Sequence, residues 1–120
     1  MKALFDTNIL VDFLNGVDEA RGEIQRYDDV AISIISWMEV LVGAAPATEA
    51  ATRAFLASFA LVGLDQAIAY GAVALRRAHR VKLPDAIVWS SARVQGRLLV
   101  TRNTKDFPAA DPGIRAPYVI

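Results

Sequence analysis

Cysteine is absent from the 120-residue chain, and proline and glycine are scarce at 5 and 7 residues. Without thiols there is no disulfide framework, no thiolate zinc site and no cysteine nucleophile, and a cytoplasmic location is expected. Net charge is absent too, since 13 Lys plus Arg offset 13 Asp plus Glu. The molecule as a whole is therefore no electrostatic glove for nucleic acid or an anionic membrane, and any such role must rest on local clusters. Long apolar runs are missing as well. The longest uncharged stretch, Ala54 to Leu64, falls far short of the ~20 residues of a membrane span, and Met1-Lys2-Ala3 leads straight into a strand-like segment, so no targeting segment is expected. What is present is an apolar majority of 54% with 22% charge, in a length that suits one compact domain over residues 1–120.

The chain alternates between two hydrophobic periods. Ala3-Leu4-Phe5 reads as a strand that stops at Asp6-Thr7-Asn8, after which Leu10, Phe13 and Leu14 recur at helical spacing up to Asn15-Gly16. Ala20, Ile24 and Tyr27 mark a second helix. Val30 to Ile35 predicts a buried strand, with Ser36-Trp37-Met38-Glu39 opening the next helix as a capping box. The Ala-rich stretch Ala47 to Ala60 predicts a helix before a strand ending near Leu61 to Asp65. Ile68, Ala72 and Leu75 stripe one further helix; Val88, Trp89 and Ala92 stripe another, begun by Pro84-Asp85. Leu98 to Thr101 predicts a fourth strand, and Tyr118-Val119-Ile120 a short fifth. Strands joined by helical crossovers imply an α/β fold with a parallel sheet covered on both faces.

Four carboxylates fall at one kind of place. Asp6 ends the first strand, Glu39 lies in the first turn after the second, Asp85 opens the helix before the fourth, and Asp106 sits in the loop after it. Ligands of open parallel sheets bind beyond the carboxyl ends of the strands, the rim to which this chain order assigns the acids. Each acid alone is explained by a cap, a helix dipole or a turn. Together, with no lysine among them, they would repel one another unless a divalent cation supplies positive charge. Hard oxygen donors select Mg2+ or Mn2+, and such an ion lowers the pKa of a bound water and stabilises charge on a phosphate. That chemistry suits hydrolysis of a phosphodiester.

Leu4-Phe5-Asp6-Thr7-Asn8, Ser36-x-x-Glu39, Leu83-Pro84-Asp85-Ala86-Ile87 and Leu99-Val100-Thr101-Arg102-Asn103-x-x-Asp106-Phe107, in this order and spacing, resemble the motifs of the PIN-domain nucleases. More narrowly the chain resembles, over essentially its full length, the VapC-type toxins of bacterial type II toxin-antitoxin pairs. The resemblance implies a three-layer α/β/α fold with strand order 3-2-1-4-5 and Mg2+- or Mn2+-dependent endoribonuclease activity. It also implies homodimerisation and inhibition by a cognate antitoxin. It makes Asp6 and Asp85 the principal metal ligands, Glu39 and Asp106 the remaining catalytic acids, and Thr7, Asn8, Thr101 and Asn103 their supports. At the fourth position, Asn103 rather than Asp106 is a second candidate for the nearer contact.

The remaining polar residues divide between substrate and scaffold. Arg102 and Lys105 flank Asn103 and Asp106 and are candidates for RNA phosphate contacts. Arg76, Arg77, Arg80 and Lys82 end a helix, where cations complement the dipole, so a solvated structural role is favoured for them. His79, Trp37 and Trp89 read as packing residues. The region from Ala44 to Ala60, with Phe55 and Phe59, exceeds what a small sheet needs and is a candidate contact for a second copy or an antitoxin helix. Two other classes of function share parts of the pattern. A receiver-type phospho-accepting domain would use Asp65 and Thr101 but needs paired acids after the first strand, and a non-catalytic scaffold would need no complete acid set.

Overall fold

The computed structural model describes residues 1–120. Five strands, β1 (Lys2–Phe5), β2 (Asp29–Ser33), β3 (Ala60–Val62), β4 (Leu98–Val100) and β5 (Ile114–Arg115), alternate with six helices. The helices are α1 (Thr7–Leu14), α2 (Asp18–Gln25), α3 (Ile34–Val42), α4 (Glu49–Leu56), α5 (Gln66–Ala78) and α6 (Leu83–Val94). All strand pairs are parallel, and the order is β3-β2-β1-β4-β5, as the motif resemblance implied.

Strand alternation sends successive side chains to opposite cores. Leu4, Ala31 and Leu99 join Ile68, Ala72, Trp89 and Ala92 of α5 and α6. Ala3, Phe5, Ile32 and Val100 join Ile9, Leu10, Ala20, Val40 and Leu56 of α1 to α4. The sheet is thus the middle of three layers, and β1, buried on both faces after the exposed Lys2, carries only apolar side chains from Ala3 to Phe5. Gly71 lets α5 and α6 meet closely: a Cβ there would lie 2.3 Å from Ser90 Oγ.

Several boundaries differ from the sequence reading for local reasons. β2 ends at Ser33 rather than Ile35, because the Ser33 hydroxyl accepts the Ile35 N–H at 3.1 Å and starts α3 early. Ser36 therefore lies inside the helix and forms no capping box with Glu39. The fifth strand is Ile114–Arg115, not Tyr118 to Ile120. Pro117 cannot donate to a ladder, and the Arg115 side chain instead ties β5 to Glu23 of α2 at 2.7 and 3.1 Å. Phe55 and Phe59 are used internally, Phe55 stacking on Phe13 with ring centroids 4.4 Å apart.

Candidate active site

Asp6 is the first residue after β1. Its N–H donates to the Val100 carbonyl at 2.9 Å, so the two central strands grip it. In extended backbone it caps α1, with Oδ1 accepting the Thr7 N–H at 2.8 Å. Oδ2 accepts the Thr101 hydroxyl at 2.8 Å and an Asn8 amide N–H at 3.3 Å. The residue is 5% exposed and no cationic side chain touches it. Burial pushes its pKa up to about 6; the Thr101 and Thr7 donors oppose this, and the Asp85 and Glu39 charges add to it.

The other acids approach from separate elements. Glu39, in the second turn of α3, has Oε1 2.7 Å from Thr7 Oγ1, which also lies 2.9 Å from Ser36 Oγ. With a single proton, the Thr7 hydroxyl donates to the carboxylate and accepts a hydrogen bond from the Ser36 hydroxyl. Asp85 stands in the first turn of α6, where Pro84 suits the helix start. Partial burial raises its pKa, the charges of Asp106 and Glu39 raise it further, and Lys82 pulls it down. Asn103 and Asp106 bond to each other, amide to carboxylate at 3.0 Å and backbone N–H to amide oxygen at 3.2 Å.

A cleft of about 340 Å³ opens between these elements, lined by Asp6, Glu39, Asp85, Thr7, Asn8, Arg102 and Asn103 among others. Asp106 stands behind Asn103 and reaches the cleft through its charge on Asp85. The acids face one another without converging on a point: no three of the chain's Asp, Glu or His side chains are close enough together to hold one ion. Mg2+ needs only one or two carboxylates and completes its octahedron with water and phosphate oxygens, so the arrangement fits that ion. A buried carboxylate served only by neutral donors fits it too, because a cation there favours the charged form that burial and the neighbouring acids disfavour.

Of the predicted RNA contacts, Arg102 lines the cleft, whereas Lys105 is exposed outside it. Arg76 donates to the Val81 carbonyl at 2.7 Å, and His79 terminates α5 with its ring 4.8 Å from that of Trp89; both are structural, as the sequence suggested. Asp65 caps α5 by accepting the Ile68 N–H at 2.8 Å, and Thr101 serves Asp6, so both residues of the receiver reading have structural partners here. Sequence reasoning passed over Asp12, whose carboxylate receives Arg102 in a two-point ion pair at 2.6 and 3.0 Å and also the Tyr118 hydroxyl at 2.8 Å. Its position one helical turn after Asn8 was the available signal. A larger groove of about 560 Å³ adjoins the cleft, sharing Val11 and Glu39 with it and lined by Leu14, Val40, Ala44 and Ala51.

Comparison with known proteins bears on the family and the fold. The PIN-domain family model matches residues 3–111, a span that includes all four acids. Ribonuclease VapC10 of Mycobacterium tuberculosis is 30% identical over 125 residues, covering 98% of this chain and 93% of its own. A chain in a toxin-antitoxin complex from Klebsiella pneumoniae superposes with a TM-score of 0.94 at 46% identity, covering 99% of this chain and 100% of that one. DNA-bound VapBC from Salmonella typhimurium shares the fold, with a TM-score of 0.78 at 24% identity over 96% of both chains. A family model that spans nearly the whole chain and a full-length relative at this identity make the protein a member of the PIN-domain family, in its VapC branch.

Proposed function

We propose that the cleft is the centre of a Mg2+- or Mn2+-dependent endoribonuclease, and that the protein is the toxin of a toxin-antitoxin pair. Family membership carries the coarse part, a nuclease of the hydrolase class. The finer part rests on one observation: Asp6, deeply buried and short of positive charge, shares a cleft with Glu39 and Asp85. Asp6 and Asp85 would hold the ion. When bound there, it supplies a water of lowered pKa and a Lewis acid for the scissile phosphate.

The chain's own groups do the rest. Thr101 and the Thr7 N–H fix the Asp6 carboxylate so that its oxygens need not reorganise. Thr7 orients Glu39 through Oε1 and leaves Oε2 free of protein donors, placed to take a proton from attacking water. In the hydrolysis a water oxygen bonds to phosphorus, the bond to one ribose oxygen breaks, and the departing oxygen is protonated. Asn103 reaches the cleft as a neutral donor while Asp106 holds it. Arg102 supplies the positive charge for phosphate.

The adjoining apolar groove supports an antitoxin helix as partner, because an occupant there would cover Glu39 and Val11 at the edge of the cleft. Homodimerisation and a cytoplasmic location complete this reading; no helix is long and apolar enough to cross a membrane. The deciding experiment incubates the protein with single-stranded RNA, with and without Mg2+ or Mn2+, beside Asp85→Asn. Cleavage that needs the metal and vanishes in the variant is expected, and a variant of full activity would refute the site. Phosphorylation by acetyl phosphate without RNA cleavage would favour a receiver instead.

A further inference from the structure

Asp12 takes no part in the acid cluster, yet it is 5% exposed on α1, where its neighbours Ile9 and Leu10 pack into the core. Its two oxygens meet three donors: Arg102 Nε and Nη2 and the Tyr118 hydroxyl. The backbone of Arg102 is held as well, its N–H donating to Asn8 Oδ1 at 3.1 Å, next to the Thr101 that serves Asp6. The guanidinium is thus clamped along one edge. Nη1 makes no bond within the protein and is not sealed from solvent, and the side chain lines the acidic cleft.

A two-point carboxylate fixes the plane of a guanidinium as well as its charge, and a planar fork is the donor geometry that matches phosphate oxygens. A cation placed among acids also opposes metal binding, which makes sense where an anionic ligand arrives with the metal. We infer that Arg102 binds a non-bridging oxygen of the RNA phosphate in the cleft, and that Asp12, steadied by the Tyr118 hydroxyl, is the positioning residue that aims it. This rests on the nuclease reading above. It assigns a role to the C-terminal segment, which lies outside the four acidic motifs: Tyr118 ties that segment to the site through Asp12.

Charge and aim make opposite predictions for Asp12→Asn. Removing a carboxylate makes the rim more positive, so attraction alone predicts RNA binding at least as tight and cleavage undiminished. Loss of aim predicts slower cleavage. The test uses a labelled single-stranded RNA and two readouts, metal-free binding by anisotropy across a salt series and single-turnover cleavage with Mn2+. For Arg102→Ala, the salt slope of binding should shrink by about 0.7, and cleavage should fall about 10- to 100-fold. Arg102→Lys should restore the slope and not the rate. Asp12→Asn should keep the slope and lose rate over the same range, Tyr118→Phe less, and Asp12→Asn in the Arg102→Ala background should lose nothing more. Parental rates in Asp12→Asn or Tyr118→Phe, full rescue by Arg102→Lys, or losses that multiply in the double variant would overturn the inference and leave the nuclease reading standing. Should Asp12→Asn fail to fold, the Tyr118→Phe pair with and without Arg102→Ala decides. A parent protein that cleaves no RNA would overturn both.

Discussion

Replacing Asp6 by Asn should stabilise the metal-free protein while abolishing its response to metal. Raising the pKa from 3.8 to about 6 means that folding disfavours the charged form relative to the protonated one by about 3 kcal/mol. Because the folded pKa is the higher one, the folded chain binds the proton more tightly than the unfolded chain. The contribution of Asp6 is therefore greatest at low pH and falls as pH climbs from about 4 past 6, with roughly half of the loss, about 1.5 kcal/mol, between pH 5 and 8. Asn keeps the acceptor for the Thr7 N–H, but its amide faces the Thr101 hydroxyl and the Asn8 amide, and Thr101 already accepts from Asn8 and the Asn103 N–H, so the mismatched donors cost about 1 to 2 kcal/mol. The balance at pH 8 is a gain of about 1 to 2 kcal/mol, or about 4 to 8 °C in a chain of this length. The assay is a chelator-treated melt at pH 5 to 8, repeated with saturating Mg2+. The parent should lose stability with rising pH, and Mg2+ should raise it by about 2.7 kcal/mol at a hundred times the dissociation constant. Asp6→Asn should show a shallower slope, a residue of which comes from Asp85, and no metal effect. An Asp6→Asn protein less stable than its parent at pH 8 without metal would refute the reasoning, as would a parent that gains stability from pH 5 to 8.

Three further outcomes test other parts of the account. Asp85→Asn should abolish metal-dependent RNA cleavage while leaving the metal-free melt unchanged or raised, since it relieves repulsion from Asp106 and Glu39. Gly71→Ala should cost about 1 to 3 kcal/mol in denaturant titration because its methyl group meets Ser90 Oγ. Most of that cost should vanish in a Ser90→Ala background; equal costs in both would contradict the close helix contact. Glu23, bonded to Arg115 and Tyr27, has its pKa lowered, so its contribution is complete above the ordinary Glu range and lost as pH falls through the lower folded value. Glu23→Gln should accordingly destabilise the protein at pH 7 and far less near pH 3, as read by urea unfolding at both.

Much of the architecture was legible because local chemistry and global fold agree. The unbroken apolar run Ala3-Leu4-Phe5 stops at three capping-type residues, Asp6-Thr7-Asn8, a combination that favours a buried strand followed by a helix start. The misplacements were at ends where one hydrogen bond decides. Ser33 rather than Ser36 caps α3 because its hydroxyl, at the strand terminus, reaches the Ile35 N–H. The fifth strand fell at Ile114 and Arg115 because the edge of β4 recruits whichever backbone donors and acceptors arrive beside it, a non-local choice.

For the site, the sequence by itself determined which residue types stand at the carboxyl ends of the strands, since each acid follows its strand or opens its helix within a residue or a few. That much follows from chain order. Only the tertiary structure decided how they act. Burial between β1 and β4 sets Asp6 apart from acids of the same chemistry, and the fold of the β4 loop turns Asn103 toward the cleft and Asp106 behind it. The pairing of Asp12 with Arg102 and Tyr118 joins residues 90 and 106 positions apart. No local pattern encodes it, because the environment that makes an ion pair directional is built by distant segments closing around it.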